Sequence, residues 1–236
     1  MGLSVVEQSE FAAAIESAGW AVTPPVVPQP VVDRLLADLT PLASEGRGGV
    51  RNLLDASPAV RALATSPAVR SAAEAVLGAD CFAVRAILFD KTPGANWKVV
   101  WHQDLTIAVR ERADVAGYGP WSEKAGVPHV QPPAELLERM LAVRVHLDEC
   151  GADNGPVRVV PGSHRSGRLS AAAVDAWRQG AAEVDCLAER GAILAFRPLL
   201  LHASSAAVAP AHRRVVQVEF VAEELPAPLE WHARVA

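Results

Sequence analysis

Three residues of the chain carry side chains that could hold one metal ion. His102 and Asp104 are two positions apart, and His202 lies far downstream. Because successive side chains of a β-strand alternate between its two faces, His102 and Asp104 can point to the same side while Gln103 turns away. His202 must then arrive on a different strand. Two imidazoles and one carboxylate that leave coordination positions open are the ligand set of a non-haem Fe(II) centre.

An arginine, Arg213, follows the third of these residues in the chain and could bind a carboxylate near the metal ion. Arg213 opens an alternating, strand-like segment soon after His202. A cosubstrate such as 2-oxoglutarate chelates iron through its keto-acid end and needs a fixed cation for its other carboxylate. Arginine suits this role because its planar guanidinium binds a carboxylate through two hydrogen bonds and stays charged. We expect His202 and Arg213 on neighbouring antiparallel strands. The alternatives are that Arg214 is the carboxylate partner, or that both arginines lie at the end of a strand without a binding role.

These motifs resemble those of the phytanoyl-CoA dioxygenase family. The resemblance is carried by the His-X-Asp pair, by the segment 154–164 (NGPVRVVPGSH) and by the block from His202 to Arg213, and it runs from about Phe11 to about Phe220. It implies an Fe(II)- and 2-oxoglutarate-dependent dioxygenase on a double-stranded β-helix. Such an enzyme uses O2 to oxidise a small molecule and releases succinate and CO2. Hydroxylation is the simplest outcome, although desaturation and cyclisation use the same iron centre.

The resemblance also implies roles around the cosubstrate. Ser204 matches a position whose hydroxyl supports the 2-oxoglutarate carboxylate beside the arginine, and Ile87 and Arg144 match two further positions that line it. Arg144 departs from the family pattern, because eukaryotic members carry tryptophan there, so it could instead meet an anionic substrate. In related halogenases a small residue replaces the carboxylate of Asp104. The presence of a carboxylate at position 104 therefore argues against halogenation.

Residues 105–140 are predicted to form a lid over the substrate. Long connections in compact domains are usually functional covers or disordered segments, and the aromatic content of this one argues against a solvated tether. Trp121 and His129 are the predicted substrate contacts, with packing of the lid onto the barrel as the alternative. Lys91 and Lys98 flank the predicted mouth and are candidate anion contacts, with plain solvation as the alternative.

The hydrophobic pattern divides the chain into a helical part and a strand-rich part. Apolar residues recur at helical spacing within 7–18 and 31–42, and Ser-Pro pairs at 57–58 and 66–67 are typical helix starts, so residues 1–80 are predicted to form a helical buttress. Short strands separated by turn signals predict an antiparallel jelly-roll core over residues 81–221. The expected fold is therefore α+β, mainly β with flanking helices, as one cupin-like double-stranded β-helix domain over residues 1–236.

Composition limits the class of protein. The chain has 236 residues, half of them hydrophobic, which is enough for one domain with a sizeable core. A net charge of −5 argues against non-specific nucleic-acid binding. No apolar run approaches the roughly 18 residues of a membrane helix, and the start lacks the basic region of a signal peptide. Three widely spaced cysteines fit reduced thiols. We therefore expect a cytoplasmic enzyme with a small-molecule partner, no nucleic acid and no membrane; no pattern specifies a number of subunits.

Two other classes of protein use parts of the same pattern. A hydrolytic zinc enzyme also binds its metal through two histidines and an aspartate with one position open, but it leaves Arg213 and Ser204 without a role. A non-catalytic barrel could bind a small molecule without converting it. Succinate formation from 2-oxoglutarate separates the three, because neither rival produces it.

Overall fold

The computed structural model describes residues 2–43 and 49–236. Its helices are α1 (Val5–Ala18), α2 (Gln29–Leu39), α3 (Leu53–Ala56), α4 (Pro58–Ala64), α5 (Pro67–Leu77), α6 (Ala134–Glu138) and α7 (Ala171–Gly180). Its strands are β1 (Trp20–Val22), β2 (Gly49–Val50), β3 (Phe82–Lys91), β4 (Val99–His102), β5 (Ile107–Ala108), β6 (Trp121–Lys124), β7 (Val127–Val130), β8 (Met140–His146), β9 (Val157–Val159), β10 (Val184–Cys186), β11 (Ile193–Phe196), β12 (His202–Ser204) and β13 (Arg213–Val221).

The strands form three antiparallel sheets. The largest has six strands in the order β1-β11-β8-β13-β3-β2, and a four-stranded sheet has the order β10-β9-β12-β4. These two sheets are the walls of the predicted jelly roll. The third sheet, β5-β7-β6, lies within the predicted lid. Among the residues that the structure describes, no helix has both the length and the apolar character needed to cross a membrane.

The N-terminal helices cover one face of the six-stranded sheet. Helix α1 begins at a capping box in which Ser4 and Glu7 bond each other's backbone, and it ends at Gly19, whose φ of 87° is left-handed. Its buried residues Phe11 and Ile15 belong to a core shared with α2, α4, α5 and the outward-facing residues of the sheet. The predicted helical buttress is therefore present. Strand β1, which follows α1, extends the sheet by pairing with β11.

Strand β3 shows how the sheet separates core from cavity. Ala86 and Leu88 pack into the helical core, whereas Arg85, Ile87 and Phe89 line the space between the sheets. This follows from the alternation of side chains along a strand. The inner face therefore carries polar and charged groups that an ordinary core would exclude.

The lid contains a hairpin that the sequence pattern did not predict. Strands β6 and β7 pair through a two-residue turn at Ala125 and Gly126, which both have positive φ, 52° and 77°. Such turns require positive φ at both central residues, and Asn-Gly or Asp-Gly is their usual signal. Alanine in the first position gives no such signal, so the segment looked like an irregular connection. The lid ends in the short helix α6.

The expectation that His202 and Arg213 lie on neighbouring strands is wrong. Strand β12 pairs with β4 and β9, while β13 pairs with β3 and β8 in the other sheet. Residues 205–212 carry the chain from one wall of the jelly roll to the other. The histidine and the arginine therefore face each other across the cavity, an arrangement that suits a ligand reaching from one wall to the other.

Candidate active site

The three predicted metal ligands converge at one end of the four-stranded sheet. His102 closes β4 and is paired directly with His202 of β12, and the two ring centroids are 4.2 Å apart. Asp104 lies just past β4, where its N–H donates to the carbonyl of Pro198 at 2.9 Å. Its carboxylate oxygens lie 3.5 Å from Nε2 of His102 and 3.8 Å from Nε2 of His202. One ligand atom from each residue therefore falls within 4.8 Å of the other two.

Backbone hydrogen bonds orient both imidazoles. Nδ1 of His102 lies 2.9 Å from the carbonyl of Val100, and Nδ1 of His202 lies 2.8 Å from that of Leu200. Because a carbonyl only accepts, each Nδ1 carries the proton and each Nε2 keeps a lone pair. His202 is 3% exposed, and its Nε2 has no hydrogen-bond partner among residues 2–43 and 49–236. A buried lone pair without a donor, aimed at a carboxylate, fits a metal ion.

Electrostatics place Asp104 and His202 in metal-binding protonation states. Burial raises the pKa of the Asp104 carboxyl, but its interactions with the imidazoles of His102 and His202 and with the charge of Arg85 outweigh burial, so the pKa is well below its usual range. Burial lowers the pKa of His202 to about 4, against the attraction of Asp104. Burial lowers the pKa of His102, but the hydrogen bond and charge of Asp104 together with the carbonyl of Val100 outweigh burial, and the pKa is raised. The carboxylate is ionised and His202 is neutral at neutral pH, as metal ligation requires.

Gln103 fixes the backbone between the two ligands of the His-X-Asp pair. Its side-chain amide donates to the carbonyls of Leu199, at 2.7 Å, and Gly167, at 2.9 Å, and its Oε1 accepts from the N–H of Leu169 at 2.8 Å. As expected, it turns away from the metal ligands. The structure adds that it ties β4 to the segment preceding His202, and thereby sets the distance between the ligand-bearing strands.

A cavity of about 360 Å³ opens beside the three ligands, between the two sheets. It has all three on its wall, together with the four residues predicted to contact the cosubstrate: Ile87, Arg144, Ser204 and Arg213. The sequence had not indicated the remaining charged residues of the wall, which are Arg51, Arg85 and Lys124. Lys124 belongs to the unpredicted lid hairpin. Arg51 follows the two-residue strand β2, which is too short to leave a periodic pattern.

The structure distinguishes the two adjacent arginines at the start of β13. Arg213 faces the cavity, is 4% exposed, and has no hydrogen-bond partner for Nε and Nη1 among the described residues. Arg214 faces the other way and forms a bidentate pair with Asp148, at 2.8 and 2.7 Å. Because Arg214 is already neutralised by Asp148, Arg213 is the one of these two arginines whose guanidinium is available to a carboxylate in the cavity.

Lys91 does not lie at the mouth, where the sequence had suggested it. Its side chain is 0% exposed, and Nζ donates to the Ser204 hydroxyl at 3.2 Å and to the carbonyl of Ser205. The reason is its position on the inner face of β3, directly opposite Arg213. Burial and the like charge of Arg213 lower its pKa to about 8. Lys91 therefore links the two sheets behind Ser204.

Arg144 lies on the cavity wall with neutral partners only. Its Nε donates to Oε1 of Gln217 at 2.7 Å, and its guanidinium carbon lies 5.2 Å from the ring centroid of Phe89 and 5.0 Å from that of Phe196. Contacts with aromatic faces hold a cation in place without neutralising its charge. Burial lowers the pKa of Arg144 to about 10, so it remains charged at neutral pH.

The other three predicted substrate contacts lie away from the cavity wall. Lys98 is exposed, because its neighbours Trp97 and Val99 take the cavity side. Trp121 packs against the apolar cluster between the lid and the barrel. His129 is 1% exposed, and its Nδ1 bonds the carbonyl of Val127 at 2.9 Å. The packing alternative describes the placement of both Trp121 and His129. The lid contributes Leu105, Thr106 and Lys124 to the cavity wall instead.

Three solved structures share this architecture. The carbocyclase SnoK of nogalamycin biosynthesis has 18% identity and a TM-score of 0.69, with 93% of this chain and 84% of that chain covered. The epimerase SnoN, solved with Fe3+, alpha ketoglutarate and nogalamycin RO, has 17% identity and a TM-score of 0.71, covering 95% and 92%. EctD from S. alaskensis, solved with 2-oxoglutarate and 5-hydroxyectoine, has 20% identity and a TM-score of 0.65, covering 93% and 76%. These similarities show the fold, a double-stranded β-helix. None of the curated proteins compared with this chain matches it in sequence.

The family model described as phytanoyl-CoA dioxygenase (PhyH) matches residues 15–215. The chain therefore belongs to the phytanoyl-CoA dioxygenase family. It is a 2-oxoglutarate-dependent non-haem iron dioxygenase, with Fe(II), 2-oxoglutarate and O2 as its cofactor and cosubstrates. The resemblance that the motifs carried is thereby confirmed.

Proposed function

We propose that this protein hydroxylates a small molecule at an iron centre held by His102, Asp104 and His202. One observation carries the proposal. Two imidazoles and a carboxylate lie on one side of the cavity between the sheets, and on the other side lies Arg213, whose Nε and Nη1 have no hydrogen-bond partner in the described part of the chain. The first feature fits a metal ion with free coordination positions. The second fits the distal carboxylate of a cosubstrate bound to that metal ion.

The residues around the triad divide the work of binding. Arg213 receives the distal carboxylate of 2-oxoglutarate. Ser204 adds a hydrogen bond to it, because Lys91 donates to the Ser204 oxygen and leaves the hydroxyl proton free for the cosubstrate. Ile87 provides an apolar wall beside the cosubstrate. Fe(II), 2-oxoglutarate and O2, when bound, supply the oxidant that removes hydrogen from the substrate, with release of succinate and CO2; the protein contributes position and exclusion of water.

A hydrolytic zinc enzyme is the weaker candidate for this geometry. It would use the same three ligands, but it would leave a buried, unpaired guanidinium on the opposite wall. An unpaired buried charge is destabilising unless a ligand neutralises it. Arg213 therefore favours a dicarboxylate cosubstrate over a hydrolytic water.

Succinate formation is the direct test of this proposal. The purified protein is incubated with Fe(II), 2-oxoglutarate and O2, with a library of small metabolites, and the products are identified by mass spectrometry. We expect succinate, and a product that gains one oxygen atom; loss of two hydrogens would indicate desaturation or ring formation instead. His102→Ala should abolish iron binding and succinate formation. His212→Ala is the matched control, since that histidine lies outside the cavity and pairs with Asp90 at 3.0 Å.

Activity in the His102→Ala variant equal to that of the unchanged protein would place the metal elsewhere. The absence of succinate under every condition, with iron bound, would leave a binding protein rather than an enzyme.

A further inference from the structure

The charges on the cavity wall are not balanced. Five side chains of the wall are cationic, and Asp104 is its only carboxylate in the part of the chain that the structure describes. Arg85 is neutralised by a buried pair with Glu219, which lies behind the wall. Four cations, at positions 51, 124, 144 and 213, therefore face one carboxylate.

Loading the metal and the cosubstrate does not remove this excess. Fe(II) and the doubly charged 2-oxoglutarate cancel each other, and within that pair Arg213 meets the distal carboxylate. Arg144 has neutral partners. Arg51 and Lys124, called the outer cation pair below, have no ion-pair partner within the described ranges 2–43 and 49–236. A cavity lined by one sign of charge attracts ligands of the other sign.

The outer cation pair lies at the other end of the cavity from Arg213. On paired strands β3 and β13, Arg213 is opposite Lys91, and Glu219 is opposite Arg85. These two positions are six residues apart, or about 20 Å along a strand. Lys124 lies beside the metal ligands, because its Nζ bonds Thr106 just past Asp104. Arg51 follows Val50, which pairs with Leu88 of β3, so the chain runs from there towards the Arg85 end. Burial and the like charges of Arg85 and Arg51 lower the pKa of Lys124, in agreement with this placement.

Two hydrogen bonds hold the outer cation pair in place. Nζ of Lys124 donates to Oγ1 of Thr106 at 2.7 Å, which ties the lid hairpin to the segment just after Asp104. The side chain of Asn52, next to Arg51, donates to the carbonyl of Ala125 at 3.2 Å, which ties β2 to the turn of the same hairpin. The two cations are therefore brought together by elements that meet only in the folded chain.

We infer that the outer cation pair binds an anionic group of the substrate, so that the substrate is a small acid carrying a carboxylate or a phosphate ester. This inference rests on the proposed function and names the substrate class of that site. The guanidinium of Arg51 can bind either oxyanion through two hydrogen bonds, and Lys124 adds a point charge. The substrate anion and the distal carboxylate of 2-oxoglutarate then lie on opposite sides of the metal ligands, and the carbon to be oxidised lies between them.

Charge-matched probes test the inference by binding rather than by turnover. Benzoate and phenyl phosphate are titrated calorimetrically into the Fe(II) enzyme saturated with 2-oxoglutarate under nitrogen, and benzamide and phenol are their neutral counterparts. We expect at least one acid to bind at least tenfold more tightly than its neutral counterpart, and the stronger of the two acids identifies the oxyanion. Lys124→Met and Arg51→Met should each weaken that binding about tenfold or more. Lys98→Met removes an equal charge from an exposed lysine outside the cavity and should leave it unchanged.

Three results would overturn the inference: equal binding of acids and neutral counterparts, no binding of either acid, or an equal loss in Lys98→Met. Succinate formation by the same preparations in air separates this failure from failure of the proposed function. Succinate without discrimination between the probes rejects only the acidic substrate. No succinate rejects the oxygenase itself.

Discussion

Replacing Arg213 or its neighbour Arg214 by methionine should change the affinity for 2-oxoglutarate and the free energy of unfolding in opposite ways. In Arg213→Met the cosubstrate loses its cation, and the protein without cosubstrate loses a buried charge whose Nε and Nη1 have no partner among the described residues. In Arg214→Met the cavity is untouched, but the bidentate pair with Asp148 is broken. We therefore expect the first variant to lose affinity without losing stability, and the second to lose stability without losing affinity.

The magnitudes follow from burial. Removing one partner of a buried, hydrogen-bonded charge pair weakens binding by about 2–5 kcal/mol. Arg213 is 4% exposed, so roughly 3 kcal/mol, or about 100-fold in the Kd for 2-oxoglutarate, is expected. Removing an unpaired buried charge should raise the free energy of unfolding by about 1 kcal/mol or more. The Arg214–Asp148 pair is partly exposed, so its loss should lower that free energy by about 1 kcal/mol.

Two measurements on each variant check this reasoning. The Kd for 2-oxoglutarate is obtained by calorimetric titration of the Fe(II) enzyme under nitrogen, and the free energy of unfolding by urea denaturation of the cosubstrate-free protein. A Kd for Arg213→Met within threefold of that of the unchanged protein would refute the assignment of Arg213. An equal rise in Kd for Arg214→Met would show that the two side chains have been assigned to the wrong faces of β13.

Two further changes probe groups that support the site. Gln103→Leu removes the hydrogen bonds to Gly167, Leu199 and Leu169 and leaves buried backbone groups unsatisfied. The free energy of unfolding measured in urea should therefore fall by about 2–4 kcal/mol, and the affinity for iron should fall with it. A variant with unchanged stability and unchanged iron affinity would contradict this. Burial lowers the pKa of Lys91 to about 8 from 10.5, so between those pH values the unfolded chain binds more protons and stability should rise with pH, by at most about 3 kcal/mol. Lys91→Met should flatten that part of the pH profile in the cosubstrate-free protein, and an identical profile would show that Lys91 is not held in this buried position.

Much of the catalytic centre was predictable from local patterns. His102 and Asp104 are neighbours in the chain, so strand alternation alone was enough to bring them to one side. The strand that Arg213 was predicted to open is β13, whose alternation is long and strong. The helix starts after Ser57 and Ser66 followed from the fixed φ of proline at the first helical position.

Long-range placement was predicted less well. The neighbouring-strand arrangement of His202 and Arg213 was wrong, because nothing local marks residues 205–212 as a passage between two sheets. Lys91 was predicted to flank the mouth as a candidate anion contact, with solvation as the alternative, but its strand directs it into the barrel. Trp121 was predicted to contact the substrate because it is aromatic, whereas the structure packs it against the apolar cluster between the lid and the barrel.

The sequence by itself determined the chemistry available to this protein: two imidazoles and a carboxylate with free coordination positions, and an arginine that can bind a carboxylate. It also determined that a helical part precedes a strand-rich part. These are properties of residue type and short spacing, which act over a few positions. Only the tertiary structure decided which cations share the cavity, since Arg51, Lys124 and Arg213 come from separate elements whose meeting depends on sheet pairing and lid packing. Side-chain direction on a given strand is local, but what a side chain faces is set by the other wall.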